Sequence, residues 1–118
     1  MSWTLRQWVE LCCFPVAIAA GQILFKRAAG QITPAGNWLL ELARLPTMWV
    51  AIALYAGATL LWVRILTTIP LSRAYPFVAL AFVLVPAAGY LFFDETITAK
   101  YAFGTALIVA GVIVAARA

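Results

Sequence analysis

Apolar residues run almost unbroken through four stretches of the chain, about residues 8–29, 47–69, 74–93 and 99–116. Each stretch is close to the roughly 20 residues that a helix needs to cross a bilayer at about 1.5 Å per residue. The runs are continuous rather than alternating, which excludes an outer-membrane barrel. Between the first two lies the only long connection, QITPAGNWLLELARLP. There Asn37 is placed to cap a short amphipathic stretch within 37–45, with Trp38, Leu39, Leu42 and Leu45 on one side and Glu41 and Arg44 on the other. Such a piece is suited to lie flat at the membrane interface. The other two connections span only a few residues, so successive helices are antiparallel neighbours. The pattern predicts an all-α membrane protein, residues 1–118 forming a single domain of four transmembrane helices.

Composition strengthens this picture. Of 118 residues, 66% are apolar and 10% charged, against about a quarter charged in soluble domains. There is no histidine, no cluster of metal ligands, no phosphate loop and no nucleophile beside a base. Neither metal, cofactor, catalysis nor nucleic-acid partner is expected. Cys12 and Cys13 are adjacent, badly placed to bridge each other, and read as small apolar packing groups. Arg6, the apolar stretch after it and an A-x-A pattern at residues 17–19 have features of a signal peptide. Glu10 and Pro15 interrupt that stretch and cleavage would leave three helices, so it is read as a span.

Basic residues do not choose a side. Arg6, Arg64, Arg73 and Arg117 fall on the side of the N-terminus, and Lys26, Arg27, Arg44 and Lys100 on the other. The positive-inside rule gives no orientation from a four-to-four balance. Transporters often build their site between inverted repeats, and four helices hold no second repeat, so a dimer is expected. In the last run, GTALIVAGVIVAA, the small residues Gly104, Gly111 and Ala115 share roughly one face and suit close approach of another helix. Packing within the monomer explains the same spacing.

Polar groups inside the spans are candidates for function. Glu10 lies four residues after Arg6 and suits an i,i+4 pair at the interface. Lys26 and Arg27 are near the end of the first run, where snorkelling to headgroups explains both. Gln22 lies one turn deeper on the same face as Lys26; it either bonds another helix or contacts substrate. Arg64 stands roughly 8 Å inside if its helix runs to Pro70. It either reaches out to a headgroup or faces a cavity, where its paired donors would hold a phosphate.

In IPLSRAYPF, Pro70 is expected to end the second helix and Ser72 to cap the third. Arg73, Tyr75 and Pro76 then fill a first turn whose free N–H groups favour an anion. Pro15 and Pro86 are expected to kink their helices and open a cavity or lateral gap. Asp94 and Glu95 close the third helix against its dipole and call for a cation, with Lys100 or Arg44 as candidates. Thr96 or Thr98 is placed to cap the fourth.

The motifs AGQILFKRA, IPLSRAYPFVAL, DETITAKYAFG and GTALIVAGVIV, in that order over most of the chain, resemble small four-helix members of the drug/metabolite transporter superfamily (EamA- and SMR-like). GTALIVAGV is similar to the dimerisation motif of small multidrug resistance exporters. Those exporters depend on a glutamate in the first helix, where this chain has Ile18. The nearer likeness is to the small subunits, ArnE and ArnF, of the aminoarabinose-phosphoundecaprenol flippase of Gram-negative bacteria. They share the AGQ…K pattern, the P-x-x-x-A-Y-P turn and a glutamate corresponding to Glu95. Arg64 and Arg73 depart from that pattern, which has apolar residues there.

The resemblance implies an SMR-like bundle in the bacterial inner membrane that flips an undecaprenyl-phosphate-linked sugar, as a dimer with itself or a paralogue. Membrane lipids and that glycolipid are the implied partners. Lys26, Arg64 and Arg73 are expected to neutralise the phosphodiester, and Gln22 and Tyr75 to contact the sugar. Two other functions compete: a proton-coupled exporter of small cations, and a non-transporting membrane subunit of a glycosyltransferase system.

Overall fold

The computed structural model describes residues 3–118, and among these there are helices and no strands. Helix α1 runs Leu5–Ala29, α2 Trp38–Arg44, α3 Pro46–Leu66 and α4 Leu71–Ala74. A 3₁₀ stretch, Tyr75–Leu80, leads into α5, Ala81–Phe93, and the chain closes with α6, Ala99–Ala116. Four segments are long and apolar enough to span a membrane: Leu5–Ala29, Pro46–Leu66, Leu71–Phe93 and Ala99–Ala116.

Caps rather than hydropathy set the helix ends. Thr4 accepts the Gln7 N–H at 3.2 Å and Gln7 returns its side-chain oxygen to the Thr4 N–H at 2.8 Å, a reciprocal cap that satisfies two orphan donors. This starts α1 a turn before the apolar run begins. Pro46, with no N–H to satisfy, opens α3. That helix stops at Leu66, short of Pro70, and the Thr67 hydroxyl bonds the Arg64 carbonyl at 2.5 Å. Pro70 therefore does not end α3. It occupies the cap position of α4, where its carbonyl accepts the N–H groups of Arg73 and Ala74 at 3.0 and 2.9 Å. Ser72 lies inside α4 and caps nothing. Asn37 precedes α2 but its side chain makes no capping bond. The connection is tied instead by Glu41, which accepts the Thr33 N–H at 3.3 Å, and by the Trp49 indole, which donates to the Ala43 carbonyl at 2.8 Å.

Pro76 is the second residue of the 3₁₀ stretch, in the first half of the third span. Pro15 and Pro86 sit inside the continuous helices α1 and α5. Asp94 ends α5 in the left-handed region at φ 54°, a conformation that aspartate tolerates better than most residues. The Asp94 and Glu95 N–H groups then both turn back to the Gly89 carbonyl, which ties the end of the helix to its own last turns. Thr98 caps α6 by accepting the Tyr101 N–H at 3.0 Å.

The buried centre lies between α1, α3 and the α3–α4 turn, where Leu11, Ile65, Ile69 and Ala74 meet. Phe14 stacks on Trp62 with ring centroids 4.7 Å apart. In contrast, α6 packs lightly on the 3₁₀ stretch and α5 and buries none of its residues. No atom of another helix lies within 4 Å of where a Cβ would stand on Gly104 or Gly111. The small-residue face is thus not used for packing within the chain.

Candidate functional site

The polar face of α1 is seated by two glycines. A Cβ on Gly21 would overlap the Tyr55 ring of α3, so the glycine lets that ring lie flat against α1. There the Tyr55 hydroxyl accepts a hydrogen bond from the Gln22 amide at 2.5 Å, and its ring packs on Phe25 at 5.0 Å. One turn further along, the Lys26 ammonium stands 3.8 Å from the Glu95 carboxylate. A Cβ on Gly89 would overlap that same carboxylate, so the glycine leaves room for Glu95 to lie against the surface of α5 as it does.

These groups line a cleft of about 200 Å³ between α1 and α5, with Gln22, Lys26 and Glu95 set among Val85, Ala88 and Phe93. It is smaller than the clefts that enclose drug-sized ligands. Glu95 and Val85 also border a second hollow of about 220 Å³ that reaches Ile97 and Tyr101. Ile97 and Tyr101 in turn border an apolar groove of about 540 Å³ between α5 and α6. The cleft at Glu95 therefore connects to the apolar groove through this second hollow.

The remaining candidates lie at the opposite end of the bundle. Glu10 receives Arg6 Nε at 2.7 Å and Arg64 Nε at 3.8 Å, one on each carboxylate oxygen. Because α3 ends at Leu66, Arg64 stands in its last turn, shallower than a helix running to Pro70 would place it. Arg73 donates to the Ala116 carbonyl at 3.2 Å, a cation at the negative end of α6. It borders a cleft of about 310 Å³ walled by Trp3, Trp8 and Phe77. Tyr75 is turned elsewhere, its ring edge on Trp62 at 6.2 Å. From Lys26 to Glu10 is about 24 Å along α1. The structure brings Gln22 and Lys26 together and sets Arg64, Arg73 and Tyr75 far from them, so one headgroup does not touch both sets at once.

The acids divide unevenly where the bases balance. The end with Arg6, Arg64, Arg73 and Arg117 has Glu10 alone, while the end with Lys26, Arg27, Arg44 and Lys100 has Glu41, Asp94 and Glu95. The cation that answers Glu95 is Lys26 rather than Lys100 or Arg44. Sequence reasoning missed Tyr55 and Glu95 as members of the site. A tyrosine in the middle of an apolar span was the available signal for the first, since its hydroxyl needs a partner there.

Comparison with known proteins gives several relatives of one kind, each described as a probable 4-amino-4-deoxy-L-arabinose-phosphoundecaprenol flippase subunit ArnE. The chain is 30% identical over 96 residues to that of Hamiltonella defensa, covering 77% of this chain and 86% of the relative. It is 39% identical over 95 residues to that of Sodalis glossinidius, covering 79% and 81%. With the Pseudomonas aeruginosa protein it shares 36% over 87 residues, covering 74% and 75%. No protein-family model matches the chain, and no solved structure does.

Proposed function

The chain belongs to the ArnE family of small flippase subunits, and from that premise we propose that it moves an undecaprenyl-phosphate-linked aminoarabinose lipid across the bacterial inner membrane. As a multi-pass protein of that membrane, it would supply the glycolipid for modification of lipid A or another envelope glycan. It acts as one four-helix domain paired with a second subunit, identical or paralogous, through the unpacked face of α6 at Gly104, Gly111 and Ala115. No covalent step is needed.

The observation that carries this reading is the cleft between α1 and α5, where Gln22, Lys26 and Glu95 open together beside an apolar groove. The headgroup enters the cleft and the polyprenyl chain stays in lipid along the groove. Charged groups are costly in the apolar middle of a bilayer, and fixed charges at the cleft offset part of that cost. The arginines at the opposite end, Arg64 and Arg73, receive the phosphate there, so the headgroup meets a basic group on leaving each leaflet. Tyr75 lies at the same end with its ring on Trp62, and it would have to turn from that contact to meet the sugar.

The test is transport in proteoliposomes holding the protein as isolated from its membrane. Wild type is expected to move aminoarabinosyl-phosphoundecaprenol between leaflets, and the double variant Lys26→Ala/Arg64→Ala to insert normally but transport at least about tenfold more slowly, the scale of one lost charge-assisted bond. Unchanged transport by the variant would overturn the reading. Proton flux driven by guanidinium in the same vesicles would mark a cation exporter instead.

A further inference from the structure

We propose that Glu95 reads the amino group of the sugar, and that the Lys26–Glu95 ion pair is the empty-state stand-in for the two charges of the lipid headgroup. This rests on the transport reading above and adds to it the residue that selects an amino sugar over a neutral one.

The argument starts from the pair itself. At 3.8 Å the two groups attract but are too far apart for a direct hydrogen bond, which for charged partners closes to about 2.7–2.9 Å. Among the described residues neither the Lys26 ammonium nor the Glu95 carboxylate has any other side-chain partner. Lysine brings three donors and a carboxylate about four acceptor sites, so both reach the cleft with most of their bonding capacity unused. Their side chains are 58% and 50% exposed, open to whatever occupies the cleft.

The headgroup of an aminoarabinosyl phosphodiester carries one negative charge on phosphate and one positive charge on the sugar amine. That is the same pair of charges with the same sign relation. When the lipid enters, Lys26 turns to the phosphate and Glu95 to the ammonium, so one loose pair becomes two closer ones and no charge is left unmatched. A sugar with hydroxyl in place of the amine would satisfy Lys26 and leave Glu95 facing a neutral group, and an unmatched carboxylate in a partly desolvated cleft is costly. Gly89 supports the assignment: any side chain there would displace the carboxylate from the cleft wall.

The experiment compares two lipids in the same proteoliposomes, aminoarabinosyl-phosphoundecaprenol and its arabinosyl counterpart with hydroxyl at the 4-position. Wild type is expected to prefer the amino sugar. In Glu95→Gln the ratio of the two rates should fall by about tenfold or more, the scale of a lost charge-assisted bond. A structural role would slow both lipids together and leave the ratio alone, and that result would overturn the proposal. The variant Glu95→Asp keeps the carboxylate and guards against a folding defect. Its ratio should stay near that of wild type, whereas a ratio as collapsed as that of Glu95→Gln would overturn the proposal. Wild type that moves both lipids equally would overturn it while leaving the transport reading intact. Wild type that moves neither would overturn the transport reading itself.

Discussion

The Gln22 amide and the Tyr55 hydroxyl are 2.5 Å apart, joining α1 to α3 directly beside a glycine that the Tyr55 ring covers. Gly21→Ala tests that contact by the sign of its effect. Alanine favours a helix by about 1 kcal/mol over glycine, but the new methyl would overlap the ring, and overpacking costs about 1–3 kcal/mol. Gly21→Ala should lower stability in the wild-type protein and raise it in a Tyr55→Ala background, measured by denaturation in detergent micelles. Tyr55→Phe alone should cost only about 0.6 kcal/mol, the usual size of a hydrogen bond between membrane helices.

Glu10 is shared by two guanidinium groups. The Arg64 side chain is 59% exposed, so a double-mutant cycle between Glu10→Ala and Arg64→Ala should give a coupling of about 1 kcal/mol or less. Screening weakens exposed pairs, and the coupling should shrink when the same denaturation is run at high ionic strength.

Arg73 holds the carbonyl of Ala116, the last residue of α6, from a different span. A cation at that end contributes about 0.3–1 kcal/mol. Arg73→Ala should speed amide hydrogen exchange in the last turn of α6 and leave the turns of α1 around Leu11 unchanged. Equal protection in both proteins would show that the bond does not hold the helix end.

The α6 face gives a prediction about assembly. No atom of another helix stands near Gly104 or Gly111, so leucine at both positions should leave the monomer fold intact. Sedimentation in micelles should then show the paired species lost, with helix content and thermal midpoint of the isolated chain preserved. Persistence of the pair would move the interface elsewhere.

The four spans were legible because bilayer thickness imposes a length and a polarity that any stretch of the chain displays by itself. Thr98 was legible as a cap for a similar reason: its bond reaches only to Tyr101. The region around Pro70 was not. Proline forbids a helix from passing with its bonds intact, but it does not say how far upstream the helix will stop, and Thr67 ended α3 first by taking up the Arg64 carbonyl. That shift of a single turn also moved Arg64 from the interior to the end of its helix. The partner of Glu95 was hidden for another reason. Lys100 and Arg44 are near it in the chain or the loop pattern, whereas Lys26 reaches it only because the turn after α5 folds back onto the Gly89 carbonyl beside α1. Grouping Lys26 with Arg64 and Arg73 by charge ignored the length of α1, about 37 Å from end to end.

The loose pairing of Lys26 with Glu95 has an electrical consequence. The two fixed charges cancel, and a headgroup carrying one charge of each sign also sums to zero, so the loaded and empty cleft have the same net charge. Membrane voltage is worth about 2.3 kcal/mol for each elementary charge carried across 100 mV. It would do no work on such a cargo in either direction, and the passage of the lipid itself would be electroneutral. Capping the amine with a formyl group would leave one uncompensated negative charge and make the same step respond to voltage.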